Sequence, residues 1–178
     1  MTVSIRKAKL RDTKCVSEIH NMWSLKSLEH ETSRGFLLST TEPEKIASNI
    51  NRDDRIFLVV CHEEAIIGYL IATTETEMIN SLVWIKDIKN LITNLHHWHI
   101  LEMAVLPNFA GKGIGKSLYH ALFKVTQGSH LSGYVATSPY RNETSIHFHE
   151  KMGFEAVATF HTGEFCGLTN YSSTLYFR

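Results

Sequence analysis

Three glycines at alternate positions, Gly111, Gly113 and Gly115, stand between an apolar run ending at Pro107 and a segment in which Ile114, Leu118, Leu122 and Val125 recur at helical spacing. That order reads as a strand, a glycine turn and a helix start. Glycine tolerates backbone conformations and close approaches that a Cβ forbids, and the first turn of a helix presents unpaired N–H groups and a partial positive charge. The chemistry this spacing supports is the holding of a phosphate or pyrophosphate along residues 111–117, through Gly111, Lys112, Gly113, Ile114, Gly115, Lys116 and Ser117.

Two nucleotide-binding patterns fail on the same loop. Ala110 stands where G-x-x-x-x-G-K-[ST] requires its first glycine, and no apolar strand ending in an Mg²⁺-binding Asp follows, so a P-loop NTPase is the remote alternative. The spacing G-x-G-x-G also misses the dinucleotide fingerprint G-x-G-x-x-G. Proton-transfer candidates lie on the strand before the loop, where His99 and Glu102 have side chains able to accept a proton. Simple alternation sets His97, His99, Leu101 and Met103 on one face and Glu102 with Ala104 on the other, unless a bulge intervenes. His99 and Glu102 both remain open as the base. The run His96-His97-Trp98-His99 can bring two imidazoles to one ion, but no third ligand is placed by sequence, and no metal is expected.

The elements that must position these groups follow from periodicity. Residues 3–8 read as an edge strand, a helix begins near Asp12, and Thr41 with Glu44 forms a capping box before Ile46 and Ile50. Residues 55–61 and 65–74 read as an antiparallel hairpin. Across residues 75–95, Leu82, Ile85, Ile88, Ile92 and Leu95 predict an amphipathic helix, whose apolar stripe either covers the sheet or forms a homodimer contact, the latter slightly favoured. Strand 97–106, helix 113–127, strand 133–137 and helix 142–152 alternate as a βαβα unit with a parallel strand pair, and residues 154–161 and 171–177 close the chain as strands.

The chain has 178 residues, with Lys+Arg and Asp+Glu balanced at 18 each, which fits one domain over residues 1–178 and gives no global field to attract nucleic acid or an anionic membrane. Three widely spaced cysteines fit reduced thiols, and the absence of an apolar leader or spanning run leads to the expectation of a soluble, cytoplasmic protein.

Residues 105–115, Val-Leu-Pro-Asn-Phe-Ala-Gly-Lys-Gly-Ile-Gly, and residues 142–154, Asn-Glu-Thr-Ser-Ile-His-Phe-His-Glu-Lys-Met-Gly-Phe, together resemble the GNAT family of acyl-CoA-dependent N-acetyltransferases. In that family a strand ending V-x-P leads into [R/Q]-x-x-G-x-[G/A], and an N-x-x-[A/S]-x-x-[L/F]-[Y/H]-E-K-x-G-[F/Y] helix follows. The resemblance implies an α/β (α+β) GNAT fold, a mixed, mostly antiparallel central sheet with a splayed parallel strand pair at the coenzyme site and helices on both faces. It implies acetyl-CoA as acyl donor, a primary amine of a small molecule or peptide as acceptor, and direct attack in a ternary complex. It sets Met103 N–H toward the thioester oxygen and Val105 on the pantetheine amide, with Ala104 between them and with Asn142 and Ser145 completing the coenzyme site.

His149 falls where the family commonly has Tyr as the acid, while relatives resembling phosphinothricin acetyltransferase carry F-H-E or L-H-E there. Either an imidazolium protonates the thiolate, or a neutral imidazole packs beside the coenzyme. One departure stands out: Ala110 occupies the Arg/Gln position, so Lys112 or Lys116 is expected to supply the missing charge, and a coenzyme-binding module without turnover is the rival reading. On the acceptor side, Glu29, Glu31, Glu164, Phe36 and Phe165 are candidates for lining a cationic-amine site.

Overall fold

The computed structural model of the chain describes residues 2–29, 31–75, 81–94 and 97–178. Its strands are β1 (Ser4–Lys7), β2 (Arg55–His62), β3 (Ala65–Thr73), β4 (Val83–Trp84), β5 (Trp98–Val105), β6 (Leu131–Ser138), β7 (Glu155–Phe165) and β8 (Leu168–Phe177). The helices are α1 (Thr13–Met22), α2 (Pro43–Ala47), α3 (Lys89–Asn94), α4 (Ile114–Val125) and α5 (Glu143–Lys151). All eight strands form one sheet in the order β1-β2-β3-β5-β6-β8-β7-β4, antiparallel except for β5 beside β6.

Strand alternation divides the apolar residues between two layers. Ile56, Leu58, Val60, Leu70, Ala72 and Ile100 face Ile114, Leu118, Tyr119 and Leu122 of α4 and Ile146 of α5. Phe57, Val59, Tyr69, Ile71 and Ala104 face Val16 and Ile19 of α1 and Ile46 of α2. Burying each such large side chain contributes about 1.5–3 kcal/mol, so the two helical layers hold the middle of the sheet between them.

β5 changes parity partway along, since Ile100 lies on the α4 face and Ala104 on the α1 face. The register explains it: Ile71 pairs with Glu102 and the next residue, Ala72, pairs with Ile100, leaving Leu101 as the extra residue of a β-bulge. The unbulged alternation expected along this strand therefore fails, and Glu102 shares the α1 face with His99. Gly68 lets β3 approach the end of β5, because a Cβ there would lie 2.8 Å from the Ala104 carbonyl.

Two expectations along the chain are corrected. Thr41 does not cap α2, whose N-cap is Glu42 with Pro43 following it; Thr41 instead exchanges two backbone hydrogen bonds with the Asn21 amide, at 2.8 and 2.9 Å. The helix expected over residues 75–95 is realised only as α3, and Val83–Trp84 forms β4 against β7; Leu95 and residues 76–80 lie outside the described residues. Leu82 and Ile92 are buried with Val157, Ala158 and Phe160, whereas Val83 and Ile85 are exposed. Most of the apolar stripe thus packs within the chain. Among the described residues no helix is long and apolar enough to cross a membrane.

Candidate active site

The parallel ladder between β5 and β6 ends early. It joins Trp98 to Leu131, His99 to Ser132 and Ile100 to Gly133, and beyond these pairs the strands separate while each keeps its other neighbour, β3 and β8 respectively. The Leu101 bulge sits where the separation starts. Leu106 donates its N–H to Ile67 O on the β3 side, so by backbone alternation Met103 and Val105 direct their N–H and C=O groups toward the open side. The Trp23 indole N–H, from just past α1, reaches the Val105 carbonyl at 2.6 Å.

The opening leads into a cavity of about 1250 Å³ that passes from the glycine loop to the far side of the sheet. At one end lie Gly111, Gly113, Ile114, Gly115 and Lys116. Gly111 and Gly113 have φ of +76° and +80°, the left-handed region that favours glycine, and a Cβ on either would point into open space. Gly115 is closed in instead, with Met103 and Phe148 where its Cβ would be. Gly113 is the N-cap of α4, so the unpaired N–H groups of that first turn face the same end as Lys116. Of the two lysines proposed to replace the missing Arg/Gln, Lys116 lines the cavity and Lys112 lies over the Phe109 ring at 5.3 Å. Asn142 accepts from Ser145 N–H as the N-cap of α5 and donates to Phe36 O, tying α5 to the 34–39 segment on the cavity wall.

The two candidate bases come together on one face but differ in environment. His99 is buried against Ser132 Oγ at 2.8 Å and the Tyr134 ring, and burial, with His97 and His149 nearby, pushes its pKa down to about 3. It is a weak base. Glu102 keeps 21% of its side chain exposed on the cavity wall, with Oε2 at 2.9 Å from Nδ1 of His20. Tyr134 also lines the cavity, and burial raises its phenol to about 12, so it stays a neutral O–H donor.

Of the two readings of His149, an imidazolium acid or a neutral imidazole packed beside the coenzyme, its surroundings favour the second. Nδ1 lies 2.8 Å from the Ser145 carbonyl and must donate to it, which leaves Nε2 to accept from Tyr119 O–H at 3.0 Å. Burial lowers its pKa, which favours the neutral ring, whose one proton is then held by the Ser145 carbonyl. His149→Phe is expected to strand the buried Tyr119 hydroxyl and lower stability by about 1–3 kcal/mol, while leaving kcat within tenfold. Denaturant midpoints and turnover check this: Tyr119→Phe added to His149→Phe should restore part of the stability, and a kcat loss of 10² or more would return the acid role to His149.

Sequence reasoning missed His20, Tyr69, Tyr134 and Ser39. His20 carried a faint signal, a polar side chain on the apolar stripe of α1 with Val16, Ile19 and Trp23. On the acceptor side Phe36 and Phe165 do line the cavity, but the carboxylates there are Glu75 and Glu102 rather than Glu29, Glu31 or Glu164. Among the described residues no three His, Cys, Asp or Glu side chains converge as a metal site, and His96 lies outside them.

Residues 19–154 match the model of the acetyltransferase (GNAT) family. The chain belongs to the GNAT family of N-acetyltransferases, whose acyl donor is acetyl-CoA. No sequence among the curated proteins matches it. Solved structures match over nearly the whole chain. Arabidopsis thaliana NAA60 in complex with acetyl-CoA aligns with TM-score 0.69 and 18% identity, covering 99% of this chain and 98% of that one. The ribosomal-protein-S18-alanine N-acetyltransferase of Escherichia coli gives 0.69 and 13%, covering 99% and 92%. Arabidopsis thaliana Naa50 in complex with the bisubstrate analogue CoA-Ac-MVNAL gives 0.68 and 14%, covering 100% and 99%. At these identities the likeness is one of fold.

Proposed function

We propose that this enzyme moves the acetyl group of acetyl-CoA to a primary amine of a peptide or small molecule, by direct attack with both substrates bound. The observation that carries the reading is the Glu102 carboxylate on the wall of a cavity that joins the β5–β6 opening to the opposite side of the sheet. The glycine turn and α4 N-terminus receive the pyrophosphate, with Lys116 supplying charge in place of the absent Arg/Gln. Met103 N–H stabilises the oxygen of the thioester as charge develops on it, and Val105 N–H binds the pantetheine arm. The acceptor enters from the side lined by Phe36, Glu75, Phe165 and Tyr171.

Glu102 takes a proton from the ammonium, and the freed lone pair forms the N–C bond as the C–S bond breaks. The second proton of the attacking nitrogen leaves with the thiolate, so the products are amide and CoA thiol. Tyr134 O–H, a neutral donor on the cavity wall, is assigned to protonate or hydrogen-bond the sulfur. No covalent acyl-enzyme is needed. A peptide acceptor accords with the peptide analogue bound by Naa50, and a free small amine is the other acceptor of the same chemistry.

CoA thiol release from acetyl-CoA, measured with the peptide Met-Val-Asn-Ala-Leu, an aliphatic diamine and a free amino acid, tests the reading. At least one amine is expected to raise release above the acceptor-free rate and to yield its N-acetyl product by mass spectrometry. CoA binding by calorimetry with no amine-dependent release would instead make the chain a coenzyme-binding module, the reading Ala110 favours.

A further inference from the structure

His20 stands at 5% exposure near the end of α1, and each of its ring nitrogens meets oxygen. Nε2 lies 2.8 Å from the Ser39 carbonyl, which only accepts, so Nε2 carries a proton. Nδ1 has two oxygen neighbours, the Tyr69 hydroxyl at 2.8 Å and Glu102 Oε2 at 2.9 Å. If Nδ1 were bare, its lone pair would face a carboxylate oxygen inside contact distance, and the single Tyr69 proton could not serve both acceptors. A proton on Nδ1 satisfies every group: Nδ1–H donates to Tyr69 O, Tyr69 O–H donates to Glu102 Oε2 at 3.5 Å, and cation stands beside anion.

We propose that His20 is a positioning residue for Glu102: with Ser39 and Tyr69 it forms a relay of contacts that holds the carboxylate aimed into the cavity. The proposal rests on the acetyl-transfer reading for its consequence but on the three contacts for its existence. Tyr69 is fully buried and cannot reach substrate, so its hydroxyl acts only through its neighbours. Ser39 lies in the 34–39 segment that lines the acceptor end, so the chain that frames the acceptor also orients the imidazole ring. When Glu102 takes the ammonium proton it becomes a carboxylic acid and the imidazolium keeps its own. After the acetylated product leaves, Glu102 returns that proton to water.

The test has two arms that fail separately. In the first, ¹⁵N spectra of ¹⁵N-histidine-labelled protein, with the His20 signals assigned by His20→Gln, are expected to show both ring nitrogens protonated in the wild type. Nδ1 protonation should be lost in Glu102→Gln. A wild-type His20 ring carrying one proton overturns the relay, whatever the enzyme acetylates. In the second arm, turnover is measured with the amine of the panel that releases most CoA thiol. Tyr69→Phe and His20→Gln are expected to lower kcat by about tenfold to a hundredfold with KM for acetyl-CoA unchanged, and to lower it no further in the Glu102→Gln background. Tyr69→Phe removes only a hydroxyl, which keeps the arm decisive if His20→Gln fails to fold. Losses that add to that of Glu102→Gln would make His20 and Tyr69 structural and overturn the proposal. Absence of turnover with every amine would count against the acetyl-transfer reading alone, and the spectra would still decide the relay.

Discussion

Glu102→Gln is expected to lower kcat by about 10²–10⁴, the usual scale of acid–base catalysis, with CoA affinity unchanged. The substitution is nearly isosteric, and the amide oxygen can still accept from Tyr69 O–H, so the wall of the cavity keeps its shape. What it loses is the ability to take a proton from the ammonium. The defect should be largest below the acceptor's own pKa, where deprotonation is needed, and should shrink at higher pH where the amine is already neutral. Profiles of kcat/KM against pH for wild type and variant check this. A loss of equal size at every pH would reduce Glu102 to a positioning role and leave deprotonation to solvent.

Gly113→Val is expected to weaken CoA binding by more than a hundredfold. Gly113 has φ of +80°, and left-handed backbone costs an L-residue roughly 1–2 kcal/mol, more for a β-branched side chain. The new methyl groups would also enter the open space over the α4 N-terminus where the pyrophosphate is to lie. Gly128→Val separates strain from occlusion, since Gly128 has φ of +77° and equally open surroundings but stands past the other end of α4. Both variants should lose similar stability in thermal melts, and only Gly113→Val should lose CoA by calorimetry. Equal CoA affinity in the two would show that the glycine turn does not hold the pyrophosphate.

The strongest periodicities were legible before the coordinates. Ile114, Leu118 and Leu122 are buried as their spacing required, the hairpin of β2 and β3 pairs as read, and β5 and β6 form the parallel pair that the βαβα order implied. The segment before β5 misled for a physical reason. Leu82, Ile88 and Ile92 repeat like a helix because all three reach the same cluster beside Phe160, Leu82 from just before the edge strand β4, Ile88 from the bend after it and Ile92 from α3. The Leu101 bulge left no mark in composition, since Leu, Glu and Met suit either face, yet it decides that Glu102 meets α1. His20 was illegible for a related reason: its partners Ser39, Tyr69 and Glu102 come from three other segments, and only the tertiary fold brings them to one imidazole.

The early end of the β5–β6 ladder also bears on how the molecule comes apart. Among the described residues, three ladder pairs join the half made of β1, β2, β3 and β5 to the half made of β6, β8, β7 and β4. Apart from the two-pair contact of the edge strand β4 with β7, the seam is the shortest ladder in the sheet, and the amides of Met103 and Val105 have no partner strand across it to slow their exchange with solvent. In the proposed binding mode, a pantetheine arm lying in the gap would take the place of the missing rungs and bond to one half while its pyrophosphate rests on the helix that follows β5. Ligand at a hundred times its dissociation constant adds about 2.7 kcal/mol to the native state, and here that energy falls on the seam between two cooperative units. On that reading the acyl donor would act on the protein as a reversible staple, and slower amide exchange at Met103 and Val105 on adding CoA is the expected sign of it.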